Sequence, residues 1–175
     1  MNHFDVIVAG AGPSGLLAAG RAAELGNHVL ILEKMSREGR KLLITGKGRC
    51  NITNDAGISD FIPFVYPNGR FLRTAFSQFY SKDIINLLRE HGVETTLERG
   101  GRYFPTSNEA KDVLQALLLW VNELKVEIRL NHKVEKLLVQ GNVIQGLIAY
   151  GQKFTAGQVV LESQRFVDRF HHRTG

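Results

Sequence analysis

Asp5 to Lys34 reads DVIVAGAGPSGLLAAGRAAELGNHVLILEK, and the order of its parts decides the fold. Val6 to Ala9 is a short Val/Ile-rich run closed by glycines, the pattern of a parallel strand buried on both faces. A helix follows at once. Gly10, Gly12 and Gly15 have the GxGxxG spacing. The first allows a tight turn, the second leaves no Cβ to block a pyrophosphate approaching the backbone, and the third lets helix and strand pack closely. Pro13 suits the first helical position, where its missing N–H costs nothing. The free amides of this turn, which also contains Ala11 and Ser14, point at whatever anion lies there. The helix dipole favours such a charge by roughly 0.3 to 1 kcal/mol. Leu16, Leu17, Ala19, Ala22, Ala23 and Leu25 carry the apolar face, Gly26 with Asn27 ends the helix, and His28 to Leu32 forms the second strand.

Glu33 lies 18 residues after Gly15. That is close to the ~20-residue offset at which a carboxylate meets the ribose hydroxyls of an adenosine. It would repel a 2′-phosphate, which disfavours NADP. Strand, glycine turn, helix, second strand and terminal acid coincide, which a lone glycine motif does not provide.

Length and charge bound the rest. The 175 residues, 43% of them hydrophobic, allow one ordinary domain with a sizeable core, or a piece of a larger protein. A net charge of +5 is spread along the chain, and no nucleic-acid motif accompanies it, so no nucleic-acid partner is expected. The single cysteine, Cys50, excludes internal disulfides and suits a reducing cytoplasm. Val6 to Gly20, the longest uncharged run, contains four glycines and a proline and is shorter than the ~20 apolar residues of a membrane span. Neither a membrane span nor a signal peptide is expected. The six histidines show no metal spacing.

After the acid the chain makes a long polar excursion, SREGRKLLITGKGRCNITN from Ser36 to Asn54, where a nicotinamide-type domain would continue into its next helix. Such a segment can lie along an extended cofactor, which suits FAD better than NAD. Gly46 and Gly48 permit close backbone approach, and Arg40, Lys41, Lys47 and Arg49 offer charge to two phosphates. Cys50 has three uses open to it, as a nucleophile, a redox partner of a flavin or a small group packed on a ring. Packing leads, because no triad partner or resolving cysteine is recognisable.

GRKLLITGKGRCNITN, Gly39 to Asn54, followed by FLRTAFSQFYSKDIINLLREHGVETTLERGGRYFP, Phe71 to Pro105, resembles a bacterial family of NAD(P)/FAD-dependent oxidoreductases. Its members are aminoacetone-oxidase-like or HI-type conserved flavoproteins, with a bile-acid-inducible flavoprotein among the relatives. The resemblance runs to about Leu161. It implies that Glu33 and Lys34 hold the adenosine and that Arg40 and Lys41 lie near the adenine ribose and pyrophosphate. It further implies that Thr45, Gly46, Cys50 and Asn51 lie against the flavin end, that Val134 meets the adenine through backbone atoms, and that Arg102 and Tyr103 neighbour the substrate.

The remaining pattern predicts helices over Arg70 to Phe79, with Phe71, Leu72, Phe76 and Phe79 as a core stripe, and over Lys82 to His91, with Ser81 as N-cap. Val93 to Leu97 reads as a strand, and ERGGRYFP as a turn into another. Thr106 and Glu109 read as a capping box opening a helix to Leu124. Val126 to Leu130 reads as the third parallel strand. His132 to Val139, Val143 to Tyr150 and Gln152 to Thr155 form a three-stranded β-meander, and Gln158 to Leu161 a fourth core strand.

The expected architecture is therefore α/β, a Rossmann-like FAD-binding domain with a meander and a small helical insertion. Its parts are residues 1–57, an insertion at 58–105, the remainder of the domain at 106–161, and an atypical tail at 162–175. Where relatives place an Ala-Thr-Gly-Gly turn this chain has Glu162, Ser163, Gln164 and Arg165, and then FVDRFHHRTG. That points to a truncated product, with marginal stability and a half-enclosed flavin as consequences, or to a short protein with a tail helix at Arg165 to Arg173. The expected function is the FAD-binding portion of a flavin-dependent oxidoreductase transferring hydride through flavin N5, with a small organic substrate and NAD(P)H or oxygen as redox partner. The alternative is a non-catalytic dinucleotide-binding fragment. No catalytic acid, base or nucleophile is assignable from the sequence.

Overall fold

A computed structural model describes residues 3–162; the tail from Ser163, with the helix expected at Arg165 to Arg173, lies outside the described residues. In chain order the elements are β1 (His3–Ala9), α1 (Pro13–Glu24), β2 (Val29–Leu32), β3 (Thr53–Asn54), α2 (Ile58–Phe61), α3 (Arg73–Gln78), α4 (Ser81–Glu90), β4 (Thr95–Glu98), β5 (Arg102–Pro105), α5 (Ala110–Glu123), β6 (Glu127–Arg129), β7 (Val134–Gln140), β8 (Val143–Ala149) and β9 (Gln152–Leu161). They divide into two compact units, one of Met1–Lys41 with Leu117–Gly175 and one of Leu42–Ala116.

The first unit holds a six-stranded sheet in the order β6-β2-β1-β9-β8-β7. β6, β2, β1 and β9 run parallel, with Val8 opposite Ile31 on one side and Val160 on the other. β9, β8 and β7 pair antiparallel. Parallel strands covered on both faces need apolar side chains on both, and Val6 to Ala9 and Val29 to Leu32 are all buried. Each such Val, Leu or Ile removed from water contributes roughly 1.5 to 3 kcal/mol.

Helix α1 packs on β1 and β2 and meets α5 in close contact. Leu16 and Ala19 of α1 are buried, and Gly20 lies so near the Trp120 indole of α5 that an added Cβ would stand 2.2 Å from the ring. Leu25, expected on the apolar face, is exposed, because the helix ends at Glu24 and Leu25 is its C-cap.

The meander and the parallel core share a strand. The expected separate strands at Gln152 to Thr155 and Gln158 to Leu161 are one ten-residue strand, β9. Gln152 to Thr155 pairs with β8, and Thr155 onward pairs with β1, so Thr155 is bonded on both sides. Gly157 does not break it, since its hydrogen side faces the Asp5 carbonyl at ordinary contact distance. The meander also starts later than expected, at Val134.

The second unit contains a three-stranded antiparallel sheet, β3-β5-β4, and short helices. The helix expected at Arg70 to Phe79 is a 3-10 turn over Gly69–Leu72 followed by α3. Its aromatic stripe is not a core: Phe71 is 73% exposed and Phe79 41%, while Phe76 packs edge-on against Phe61 and at a tilt against Tyr80. Ser81 is the first residue of α4, not its cap. Its hydroxyl donates to the Asn54 carbonyl, and the Asp83 carboxylate accepts from the Tyr80 N–H. At α5 the Thr106 hydroxyl, expected to cap the helix, bonds that of Thr96 instead, while the Ser107 hydroxyl accepts from the Glu109 N–H just before the helix.

Candidate functional site

Where β1 meets α1 the chain turns through Gly10, whose φ of +123° only glycine adopts easily. An added Cβ on Gly15 would stand 2.0 Å from the Gly10 carbonyl oxygen, so this glycine sets how closely helix and turn approach. Gly12 is different. Its backbone is extended (φ −80°, ψ 174°), and nothing lies within 4 Å of where a Cβ would be. Pro13 is the first helical residue and Ser14 the second, so the opening amides of a helix, which have no intrahelical partners, lie beside the open face of Gly12.

Glu33 follows β2 directly. Its Oε2 accepts from the Ala11 N–H at 2.8 Å and its Oε1 from the Met35 N–H at 2.9 Å. The Glu33 carboxylate is thus fixed against the glycine turn by one amide on each oxygen. The backbone around it is held as well: Glu33 N–H donates to the Arg129 carbonyl, His132 N–H to the Glu33 carbonyl and Asn131 N–H to the Met35 carbonyl. Lys34, Arg40 and Lys41 are exposed, and Gly39 N–H donates to the Ala11 carbonyl at 2.9 Å, which brings the chain just before Arg40 onto the turn. Val134 is buried at the start of β7, opposite Ala149.

Thr45, Gly46, Cys50 and Asn51 belong to the second unit, in the segment from the 3-10 turns of Leu42–Gly48 to β3. Thr45 donates its hydroxyl to the Leu42 carbonyl, and its own carbonyl accepts from the Cys50 N–H. Gly46 packs where a Cβ would come within 3.1 Å of the Asn51 nitrogen and 3.3 Å of the Phe104 ring. Cys50 is buried, and burial pushes its thiol up, an effect a hydrogen bond with Thr45 partly offsets. A protonated, enclosed thiol packs rather than attacks. Arg49 differs from its expected role on phosphate. Its guanidinium pairs with Glu98, donates to Asn108 Oδ1 at 2.7 Å and lies 4.3 Å from the Phe104 ring centroid.

Further along β5, Arg102 is exposed and Tyr103 donates to Asp55 Oδ1 at 2.9 Å. That hydrogen bond, with smaller effects of burial and the Asp55 charge, pushes the Tyr103 phenol up. Among the described residues no group of His, Cys, Asp or Glu is placed to hold a metal ion, and no helix is long and apolar enough to cross a membrane.

Three residues distant in sequence, one at the turn and two beside Glu33, join the site through contacts that the local sequence pattern does not reveal. Glu162 follows β9 directly, with its N–H on the Ala9 carbonyl, and its carboxylate accepts from the Ser14 hydroxyl. Asn131 and His132 hold the segment after Glu33 through backbone atoms alone, which leave no trace in side-chain identity.

A mostly parallel sheet with a glycine turn opening its first helix, an acid after its second strand and an antiparallel meander defines a Rossmann-type dinucleotide-binding domain of the flavoprotein kind. The chain belongs to the HI0933-like protein Rossmann domain family, whose pattern matches residues 4–164. It is 36% identical over 165 residues to the 3-dehydro-bile acid delta(4,6)-reductase of Clostridium scindens, covering 92% of this chain and 38% of that protein. It is 30% identical over 137 residues to the ribosomal RNA dihydrouridine synthase of Escherichia coli, covering 77% of this chain and 33% of that protein. The crystal structure of a 3-ketosteroid-delta4-(5alpha)-dehydrogenase from Rhodococcus jostii shares the fold, with a TM-score of 0.66 at 20% identity over 91% of this chain and 45% of that one. The chain spans little more than a third of the length of the curated relatives it matches. By family and fold it corresponds to the FAD-binding portion of flavin-dependent oxidoreductases.

Proposed function

We propose that this chain binds FAD with the pyrophosphate on the Gly10–Gly15 turn and the adenosine ribose on Glu33, as the cofactor-holding portion of an oxidoreductase. The observation that carries this reading is the pairing of an open, Cβ-free face at Gly12 with the fixed carboxylate of Glu33. A carboxylate has about four acceptor positions. Two are used by the Ala11 and Met35 amides, which leaves two aimed by those bonds for ribose hydroxyls. Ala11, Pro13, Ser14 and Lys34 complete the adenosine diphosphate seat, with Val134 backbone at the adenine and Arg40 and Lys41 beside the phosphates. Thr45, Gly46, Cys50 and Asn51 form a loop suited to the flavin end, Cys50 as packing.

When bound, FAD supplies hydride transfer at N5 between a reduced and an oxidised partner. The residues named here bind and orient it. NAD(P)H or oxygen is the second redox partner, and the substrate is a small organic molecule of steroid type, in line with the bile-acid relative. A second substrate class, uridine in RNA, is favoured by the dihydrouridine synthase relative. Exposed Arg102 and half-buried Tyr103 are the side chains of β5 best suited to neighbour a substrate.

The test is visible absorbance of the purified chain. Stoichiometric flavin bleached by NADH or NADPH, and re-oxidised by a 3-keto-steroid or by RNA, supports the reading and selects between the substrates. A chain that binds ADP but retains no flavin supports a non-catalytic dinucleotide-binding fragment.

A further inference from the structure

The residue that follows β9 stands on the glycine turn. Glu162 donates its N–H to the Ala9 carbonyl at 3.0 Å, which extends the β1–β9 pairing by one bond beyond Leu161 and fixes where its side chain begins. From there its Cβ lies 3.3 Å from the position a Cβ on Gly10 would take, and its carboxylate accepts from the hydroxyl of Ser14, the second residue of α1. The negative charge therefore lies at the mouth of a twelve-residue helix, where unpaired amides and the helix dipole favour an anion. Glu33 already places a second carboxylate on the same turn, on the Ala11 amide.

We propose that Glu162 sets the affinity of this chain for a dinucleotide by competing with the pyrophosphate for the opening of α1. This rests on the reading of that turn as the pyrophosphate seat. A pyrophosphate brings further negative charge to the amides and needs the Ser14 hydroxyl as a donor, and Glu162 both repels that charge and occupies that donor. The ligand must displace the carboxylate from Ser14 before it can settle. Glu33 has no such effect, because its two amide bonds turn it toward the ribose and not the phosphates. The unaltered chain is then expected to hold FAD less tightly than the glycine turn and Glu33 alone would allow, with no defect in the turn itself.

The experiment measures FAD, ADP and adenosine binding to the full chain and to its Glu162→Gln, Glu162→Ala and Gly12→Val variants. Glutamine removes the charge while keeping the shape, and alanine removes both. The expected result is binding of FAD and ADP about tenfold tighter in both Glu162 variants, with adenosine, which carries no phosphate, unchanged. Unchanged or weaker FAD and ADP binding in Glu162→Gln and Glu162→Ala overturns the proposal. If Gly12→Val still abolishes binding in that case, the pyrophosphate seat stands and only the role of Glu162 is lost. Equal binding of FAD by Gly12→Val and the unaltered chain removes the seat and the proposal with it.

Discussion

Gly15 is packed against the carbonyl oxygen of Gly10 so closely that a methyl group there would stand 2.0 Å from that oxygen. The clash is with backbone, which no rotamer change relieves. Gly12, three residues earlier in the same motif, faces open space. The two glycines thus differ in kind: one sets the packing of helix and turn, and the other leaves the face open where the proposed pyrophosphate would lie.

The Gly15→Ala variant is expected to lose about 1 to 3 kcal/mol of stability through overpacking, more than the roughly 1 kcal/mol that alanine gains over glycine inside a helix. Urea unfolding followed by circular dichroism reads this directly. Stability equal to or above that of the unaltered chain would show that helix and turn do not approach as described.

Gly12→Val is expected to fold with a transition within about 1 kcal/mol of the unaltered chain, since valine tolerates the extended backbone before Pro13 and only the weak N-cap preference opposes it. Cofactor retention is expected to vanish, because the added methyls fill the space in front of the amides. Equilibrium dialysis against FAD, beside a denaturation curve for the same sample, separates the two effects.

Cys50 should resist alkylation. Burial raises the thiol, so the folded chain keeps the proton that the unfolded chain releases above about pH 8.5. The folded state then binds more protons than the unfolded one, and stability is lost as pH rises through that range. Iodoacetamide labelling is expected to be slow at pH 8 and to become fast in urea, and Cys50→Ser is expected to flatten the alkaline fall in stability. Rapid labelling of the folded chain would mark the thiol as reactive.

Arg49 joins three side chains of the second unit. The Glu98 pair is more than a third exposed on its Arg49 side, so it is worth at most about 1 kcal/mol, and the contact with Phe104 adds about 0.5 to 1 kcal/mol. Arg49→Ala is expected to cost about 1 kcal/mol, and Arg49→Lys to recover little of it, because an ammonium neither forks between Glu98 and Asn108 nor stacks on the ring. Thermal unfolding of both variants checks the order.

The first βαβ unit was legible because strand burial, glycine spacing and helical periodicity all pointed to one arrangement. Elsewhere local pattern misled. Gly157 looked like a break between two strands, yet the ladders to β8 and β1 overlap at Thr155 and carry the chain straight through. The aromatic stripe from Phe71 to Phe79 had helical spacing, but a 3-10 turn at Gly69–Leu72 shifts its phase before α3 begins, and Phe71 turns to solvent. Glu33 was legible as an acid at the right offset. Its two amide partners were not, because a residue's backbone bonds are independent of its side chain. Glu162 stood out as a departure from the resembled pattern, but its meeting with Ser14 was not legible, since it depends on β9 lying beside β1.

In the proposed reading a diphosphate rests on the amides opening α1. Titration of ¹⁵N-labelled chain with ADP, followed by amide NMR shifts, tests it most directly. The largest changes are expected at Ala11, Gly12, Ser14 and Gly15, with the Met35 amide responding through Glu33. Saturable binding that leaves those amides unmoved, with shifts confined to other parts of the chain, would contradict the account.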